Sequence, residues 1–224
     1  MGSPILPPAK DPQLVLQRRE QIVRAATALF IQKGYHGTTT REIARASGLG
    51  TGTLYEYVTS KEDILYLVCD MIHTELEARL DQVPTPGETA ANQMPRLLEG
   101  FLRVIDELQD IILLMYQETQ SLPRGHMHYV LRREEAITER FATLIRRGIE
   151  DHSFTLSPSS VTLMAHNITV LGQMWAFRRW SLRHTYPLTA FIETQTSLIM
   201  RELCARDEGM IATSAQTPEG GSIS

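Results

Sequence analysis

The 224-residue chain has only two cysteines, Cys69 and Cys204, too few for a disulfide-stapled scaffold or a four-ligand zinc site. No unbroken apolar run exceeds six residues, as at Ile111–Tyr116, against the roughly 20 needed to cross a bilayer. The opening MGSPILPPAKDP has no basic stretch leading into an apolar one, so no secretory leader is expected and a cytoplasmic location is. There is no glycine-rich phosphate loop, and no spacing of nucleophile, base and oxyanion donor stands out, so an enzyme is not expected. His126 and His128 lie two apart, on different sides of a helix, which is poor metal geometry, and neither a metal nor a cofactor is expected.

What is present is charge of unequal distribution. The net charge of -4 hides eight basic against four acidic residues up to Lys61, followed by 14 against 22 in the remainder. A basic end on an acidic body points to contact with a polyanion through the first part only. The rest of the pattern is helical. Residues 1–13 hold four of the eleven prolines and no apolar period, so a disordered arm is expected there, and the Gly/Ser/Thr-rich residues 207–224 form a second such tail. Between them no stretch alternates as a strand would, and the expectation is an all-α chain of about nine helices.

The first helix starts at Leu14 on an apolar stripe through Ile22, Ala26, Leu29 and Phe30, and stops at Lys33-Gly34. Thr39 and Glu42 stand three apart in the capping-box pattern, opening a short helix over 40–47. Gly48-Leu49-Gly50 breaks it, and Thr51 is placed to cap a third helix over 52–57. Ser60 and Asp63 open a long fourth helix, 60–80, which the Pro-rich run from Val83 to Gly87 ends. Two short capped helices around a glycine turn are the helix-turn-helix pattern. The second helix must be short and polar on one face to enter a major groove about 12 Å wide. Thr51, Gly52, Thr53 and Tyr55 suit the groove end. Thr39, Thr40, Arg41, Tyr57 and Lys61 stand at helix ends where phosphates would sit, and Leu54 should face inward. The other reading of Tyr55 and Tyr57 is core packing.

Lys33-Gly34-Tyr35-His36-Gly37-Thr38-Thr39, Arg41-Glu42-Ile43-Ala44, Gly52-Thr53-Leu54-Tyr55-Glu56-Tyr57 and Ser60-Lys61-Glu62-Asp63 together resemble the TetR/AcrR family of bacterial transcriptional regulators. The resemblance covers residues 18–68 motif by motif. It implies a homodimer on double-stranded DNA, with a DNA-binding domain over 14–59 and a ligand-binding and dimerisation domain over 60–206. It further implies a dimer interface from the last two long helices, here through Met164, Ile168, Leu171, Trp175, Ile192 and Ile199. The chain departs from the family pattern at Thr51, where many members carry Lys, at Glu56, where His is common, and at Val58-Thr59, where Phe-Pro is usual. Losing a Lys and gaining a carboxylate weakens the nonspecific phosphate contribution, so steep sequence or salt discrimination is expected.

In the body, Met94–Tyr116 and the stripe from Val130 to Ile149 enclose either a filled core or an apolar pocket built from Phe101, Ile105, Leu108, Ile112, Tyr116, Phe141 and Ile145. The segment 158–184 is apolar on more than one side, as a helix buried on both sides would be. Within it Met174, Arg178, Arg179 and Arg183 surround two tryptophans. They form either a docking point for an anionic head group or a helix end beside the dimer interface. The first alternative makes an acyl-CoA thioester a natural lipophilic effector, since some regulators that this chain resembles sense such molecules. The expected function is a repressor released from a palindromic operator by that effector. Two rivals remain: oxidation of Cys69 or Cys204 replacing the ligand, and a small-molecule binding protein whose helix-turn-helix is only structural.

Overall fold

The structure is a computed structural model that describes residues 11–82 and 87–205. The expected tail, the Pro-rich break at 83–86 and all but the last three residues of the expected arm lie outside the described residues. Among those described there are ten α-helices, one more than expected. None is long and apolar enough to cross a membrane.

The first helix, α1 (Pro12–Lys33), begins two residues before the expected Leu14, because Asp11 accepts a hydrogen bond from the Gln13 N–H. Pro12 then occupies the first turn, where its missing N–H is no loss. In α2 (Thr40–Ala46) the capping box forms in both directions between Thr39 and Glu42. The helix ends on a Schellman turn, with Leu49 N–H donating to Ala44 O, Gly48 N–H to Arg45 O, and Gly48 at φ +71°. That left-handed conformation costs a side-chain-bearing residue about 1 kcal/mol, which is why glycine stands there. The third helix, α3 (Thr51–Leu54), is capped by Gly50 and not by Thr51, and it passes through tight turns to Val58. Leu54 is fully buried, as its inward position requires. Ser60 caps α4 (Lys61–Leu80), which packs on α1 and carries the chain into the body.

The body packs around α5 (Ala90–Glu107), whose face from Met94 through Phe101 to Ile105 is buried against α4, α7 (Arg124–Glu150), α8 (Val161–Phe177) and α10 (Leu188–Leu203). The expected continuous stretch to Tyr116 breaks at Leu108, starting α6 (Gln109–Glu118), and the segment after Val161 breaks at Arg178, starting α9 (Arg179–Thr185). Neither break has a Gly or Pro. At both breaks the new helices are paired across, with Arg179 meeting Asp110 and Arg183 meeting Asp106. In α8 the buried residues Val161, Ala165, Ile168, Gly172 and Trp175 form one stripe, while Leu163 is 66% and Val170 54% exposed. Burial on both sides is therefore not achieved within one chain.

Candidate nucleic-acid interface and effector cavity

The helix-turn-helix is held by contacts that leave one polar face outward. Lys33 Nζ donates to Glu42 Oε1 at 2.6 Å, tying α1 to α2, and with the Thr39 bonds this lowers the Glu42 pKa to about 2. Thr38 is buried and its hydroxyl bonds to Gly34 O at 2.9 Å. On the outer face the hydroxyls of Thr40 and Tyr55 lie 3.0 Å apart, so the start of α2 and the end of α3 meet there. Thr39, Arg41, Thr51, Gly52 and Tyr55 are exposed, and Thr53 is half-buried. A Cβ on Gly52 would meet nothing within 4 Å. No neighbour among the described residues requires glycine at Gly52, so the position has room for close approach from outside.

Two other expected contacts sit differently. Tyr57 is half-buried and packs against the core. Lys61 turns inward: its ammonium donates to Tyr35 O at 3.1 Å and Thr38 O at 3.2 Å and lies 4.3 Å from the centre of the Tyr35 ring. Tyr35 is itself buried and donates to Glu62 Oε1, and burial pushes its hydroxyl pKa upward. Lys61 thus fastens the start of α4 to the loop before α2.

In the body, Ile72, His73 and Leu76 of α4 join Phe101 and Ile105 of α5, Ile112, Met115 and Tyr116 of α6, Glu134 and Ile137 of α7, and Thr169 and Gln173 of α8. Together they line a narrow cavity of about 40 Å³, room for a few water molecules in the described arrangement. Four expected lining residues, Phe101, Ile105, Ile112 and Tyr116, are among them. Phe141 stands behind Phe101 at 5.2 Å between ring centres, and Ile145 is fully buried in the core. Leu108 is taken up by the helix break, and Met174 and Arg178 lie outside the lining. With Arg178 over the Trp180 ring at 5.6 Å, Arg179 on Asp110 and Arg183 on Asp106, this cluster holds α9 to α5 and α6.

The description "Bacterial regulatory proteins, tetR family" matches residues 22–66, and "Tetracyclin repressor-like, C-terminal domain" matches residues 87–180. The chain is 30% identical to the HTH-type transcriptional regulator HbdR of Aromatoleum sp. (strain CIB) over 193 residues, 85% of this chain and 82% of the relative. The chain belongs to the TetR family. Among solved structures, a tetR-family regulatory protein from Rhodococcus RHA1 superposes with a TM-score of 0.75 at 24% identity, covering 85% of this chain and 99% of that one. The ketosteroid transcriptional regulator KstR2 of Mycobacterium tuberculosis gives 0.66 at 21% identity, with 84% and 97% covered. TetR-family proteins are DNA-binding transcription regulators, not enzymes, and they bind operators as dimers under small-molecule effectors.

The expected interface residues fall into two groups. Met164, Leu171, Leu198 and Ile199 line a groove between α8 and α10, with Ile168, 1% exposed, at its floor; Val170 lines the groove between α7 and α8 instead. Trp175 and Ile192, also expected at the interface, are buried in the chain's own core. Trp175 Nε1 donates to Asp106 Oδ1 at 2.8 Å and its ring lies 4.5 Å from Phe191, because a buried indole N–H needs an acceptor. Cys69 is fully buried, and desolvation, helped by Asp70, pushes its thiol up to about 12. A thiolate is the oxidisable form, so the thiol-switched rival loses support at Cys69.

Sequence reasoning missed the polar part of the cavity, His73, Glu134 and Gln173, and the clamp on its outer side. Arg133 of α7 meets Glu77 through Nε at 2.8 Å and a terminal nitrogen at 2.9 Å, Asp70 at 2.7 Å, the Tyr129 hydroxyl at 2.8 Å and Thr74 at 3.2 Å. The available signal for His73 was a polar residue inside the apolar stripe of α4.

Proposed function

We propose that this protein is a homodimeric repressor, released from a near-palindromic operator when a lipophilic small molecule enters and widens the narrow cavity between α4, α5, α6, α7 and α8. The observation that carries the reading is that three cavity residues, Ile72, His73 and Leu76, belong to α4, the helix whose first turn is fastened to the helix-turn-helix. A dimer on two half-sites must hold its recognition helices about 34–36 Å apart. An effector that fits better when α4 is displaced favours a dimer with the wrong spacing, and only its differential affinity for the two states counts.

The DNA-facing residues of this reading are Thr39, Thr40, Arg41, Thr51, Gly52, Thr53 and Tyr55, with Tyr57 and Lys61 at the rim. The partner copy packs on the α8 and α10 face, where Leu198 is exposed and Met164, Leu171 and Ile199 line a groove. The mostly apolar wall supports a lipophilic effector. An acyl-CoA thioester is the finer version, and it meets an obstacle: the surface groove beside the cavity carries Glu134 and Glu135, while the nearby arginines are paired with Asp106 and Asp110.

The test is fluorescence anisotropy of the full chain on DNA from upstream of its own gene, with long-chain acyl-CoA, free fatty acid and coenzyme A titrated separately. Tight binding that a lipophilic compound abolishes at micromolar concentration supports the reading. Release by the thioester alone supports the finer version, and release by the free acid equally well removes the coenzyme A group from it. Failure to bind any DNA at low salt, joined to turnover of a compound, returns the binding-protein alternative.

A further inference from the structure

Most polar side chains in the cavity wall are accounted for within the chain. Thr169 donates to Ala165 O and pairs with the Thr138 hydroxyl at 2.9 Å. Gln173 Nε2 donates to Glu134 Oε1 at 2.8 Å, and Tyr116 is half exposed. His73 differs. It is 1% exposed, its Nδ1 lies 2.9 Å from Cys69 O one turn back, and its Nε2 is buried without a hydrogen-bond partner. A carbonyl oxygen only accepts, so the hydrogen is on Nδ1, and Nε2 of the neutral ring is an acceptor. Burial, with Arg133 nearby, lowers the pKa and keeps the ring neutral at pH 7.

A buried acceptor in an apolar wall calls for a donor, no described side chain supplies one, and His73 lines the cavity, so a ligand that widens it could do so. We propose that the effector is a predominantly apolar molecule carrying a hydroxyl group whose O–H donates to His73 Nε2. This rests on the cavity being the effector site. An ionised carboxylate has no hydrogen to donate, and an ammonium would bring an unpaired charge into an apolar space. The direction of entry follows from the lining. Tyr116, Glu134, Thr169 and Gln173 line both the cavity and the surface groove between α7 and α8, whereas His73 lines the cavity alone. The hydroxyl-bearing end therefore enters first and the rest of the molecule points toward Tyr116.

The experiment is calorimetric titration of the full chain with two matched pairs, 2-naphthol against 2-methoxynaphthalene and 1-octanol against 1-methoxyoctane. Each ether keeps the oxygen and loses the donor. The expected result is about tenfold tighter binding of the hydroxyl member of at least one pair. The preference should vanish in His73→Phe while ether binding persists, and part of it should return in His73→Gln, which restores an acceptor. Equal binding of both members to the unaltered protein, or a preference that survives in His73→Phe, overturns the proposal. Ile105→Trp, which fills the cavity, separates this from failure of the underlying reading. Ethers that bind and are lost in Ile105→Trp leave the cavity reading standing without the hydroxyl. If nothing binds, or if binding survives the filling, both readings fall.

Discussion

Replacing Arg133 with Met keeps the aliphatic stem and removes the fork that joins α7 to α4. All five guanidinium N–H donors are used, on Glu77 twice and on Asp70, Tyr129 and Thr74 once each. The side chains are 20% exposed for Arg133, 34% for Asp70 and 25% for Glu77, between a surface pair and a buried one. Surface pairs contribute about 0–1 kcal/mol, and removing one partner of a fully buried pair costs about 3–5 kcal/mol. Partial solvent screening places this clamp at about 2 kcal/mol, which for a chain of this size lowers Tm by about 4–8 °C. Thermal unfolding followed by circular dichroism measures it. Arg133→Lys should recover less than half, because an ammonium cannot make the two-pronged contact with Glu77. A double-mutant cycle of Arg133→Met with Glu77→Gln should show a coupling of about 1 kcal/mol. A Tm change below about 2 °C in Arg133→Met, or a coupling near zero, refutes the reasoning.

Three further perturbations have outcomes of different kind. Gly52→Ala should leave Tm unchanged or raised, because alanine favours helix by about 0.8–1 kcal/mol and its Cβ meets no neighbour, yet anisotropy should show weaker operator binding if a DNA backbone passes there. Gly172→Ala puts a Cβ 2.6 Å from the Phe101 ring, so it should cost about 1–3 kcal/mol and reduce effector affinity in calorimetry while sparing DNA affinity. Glu134 has its pKa raised by burial, which the Gln173 hydrogen bond only partly opposes. A raised carboxylate contributes most favourably below its unfolded pKa and loses that contribution as pH rises through the folded value. Glu134→Gln should therefore raise Tm at pH 7, with the gain shrinking toward pH 4.

The helix-turn-helix was legible because its signals are local. The pairs Thr39–Glu42 and Ser60–Asp63, and the glycine after α2, each act within four residues, so reading the sequence amounts to reading the contact. Even there Gly50 replaced Thr51 as the cap, since the cap is set by backbone conformation and Thr51 already lies inside the helix. The body is held by distant partners. The first N–H groups of α5 are capped by Asp151 Oδ2 on Ala90 and Ser153 Oγ on Ala91, about 60 positions away, and no local pattern announces them. The break at Arg178 carries no local signal either: the residues after it pair with Asp106 and Asp110 on other helices. Trp175 was misplaced because apolarity alone does not say which of two faces is buried; its N–H acceptor, Asp106, decides.

The geometry of α4 adds a constraint on how an effector could act. His73 is 12 residues from Lys61, about 18 Å along the helix, and it sits between Asp70 and Glu77, the residues that Arg133 holds. A ligand pressing on His73 therefore meets α4 where it is held most firmly to α7. Movement at that point carries the whole helix, because a packed helix shifts as a rigid body and does not bend locally. The clamp then sets the free energy that separates the described arrangement from a displaced one, and the effector's differential affinity must exceed it. If the described arrangement is the one that binds DNA, weakening the clamp by about 2 kcal/mol lowers the effector concentration needed for release by up to about 30-fold. In operator-release titrations Arg133→Met should then respond at lower effector concentration than the unaltered protein. An unchanged or higher midpoint would mean that the clamp survives the transition, and that α4 and α7 move together.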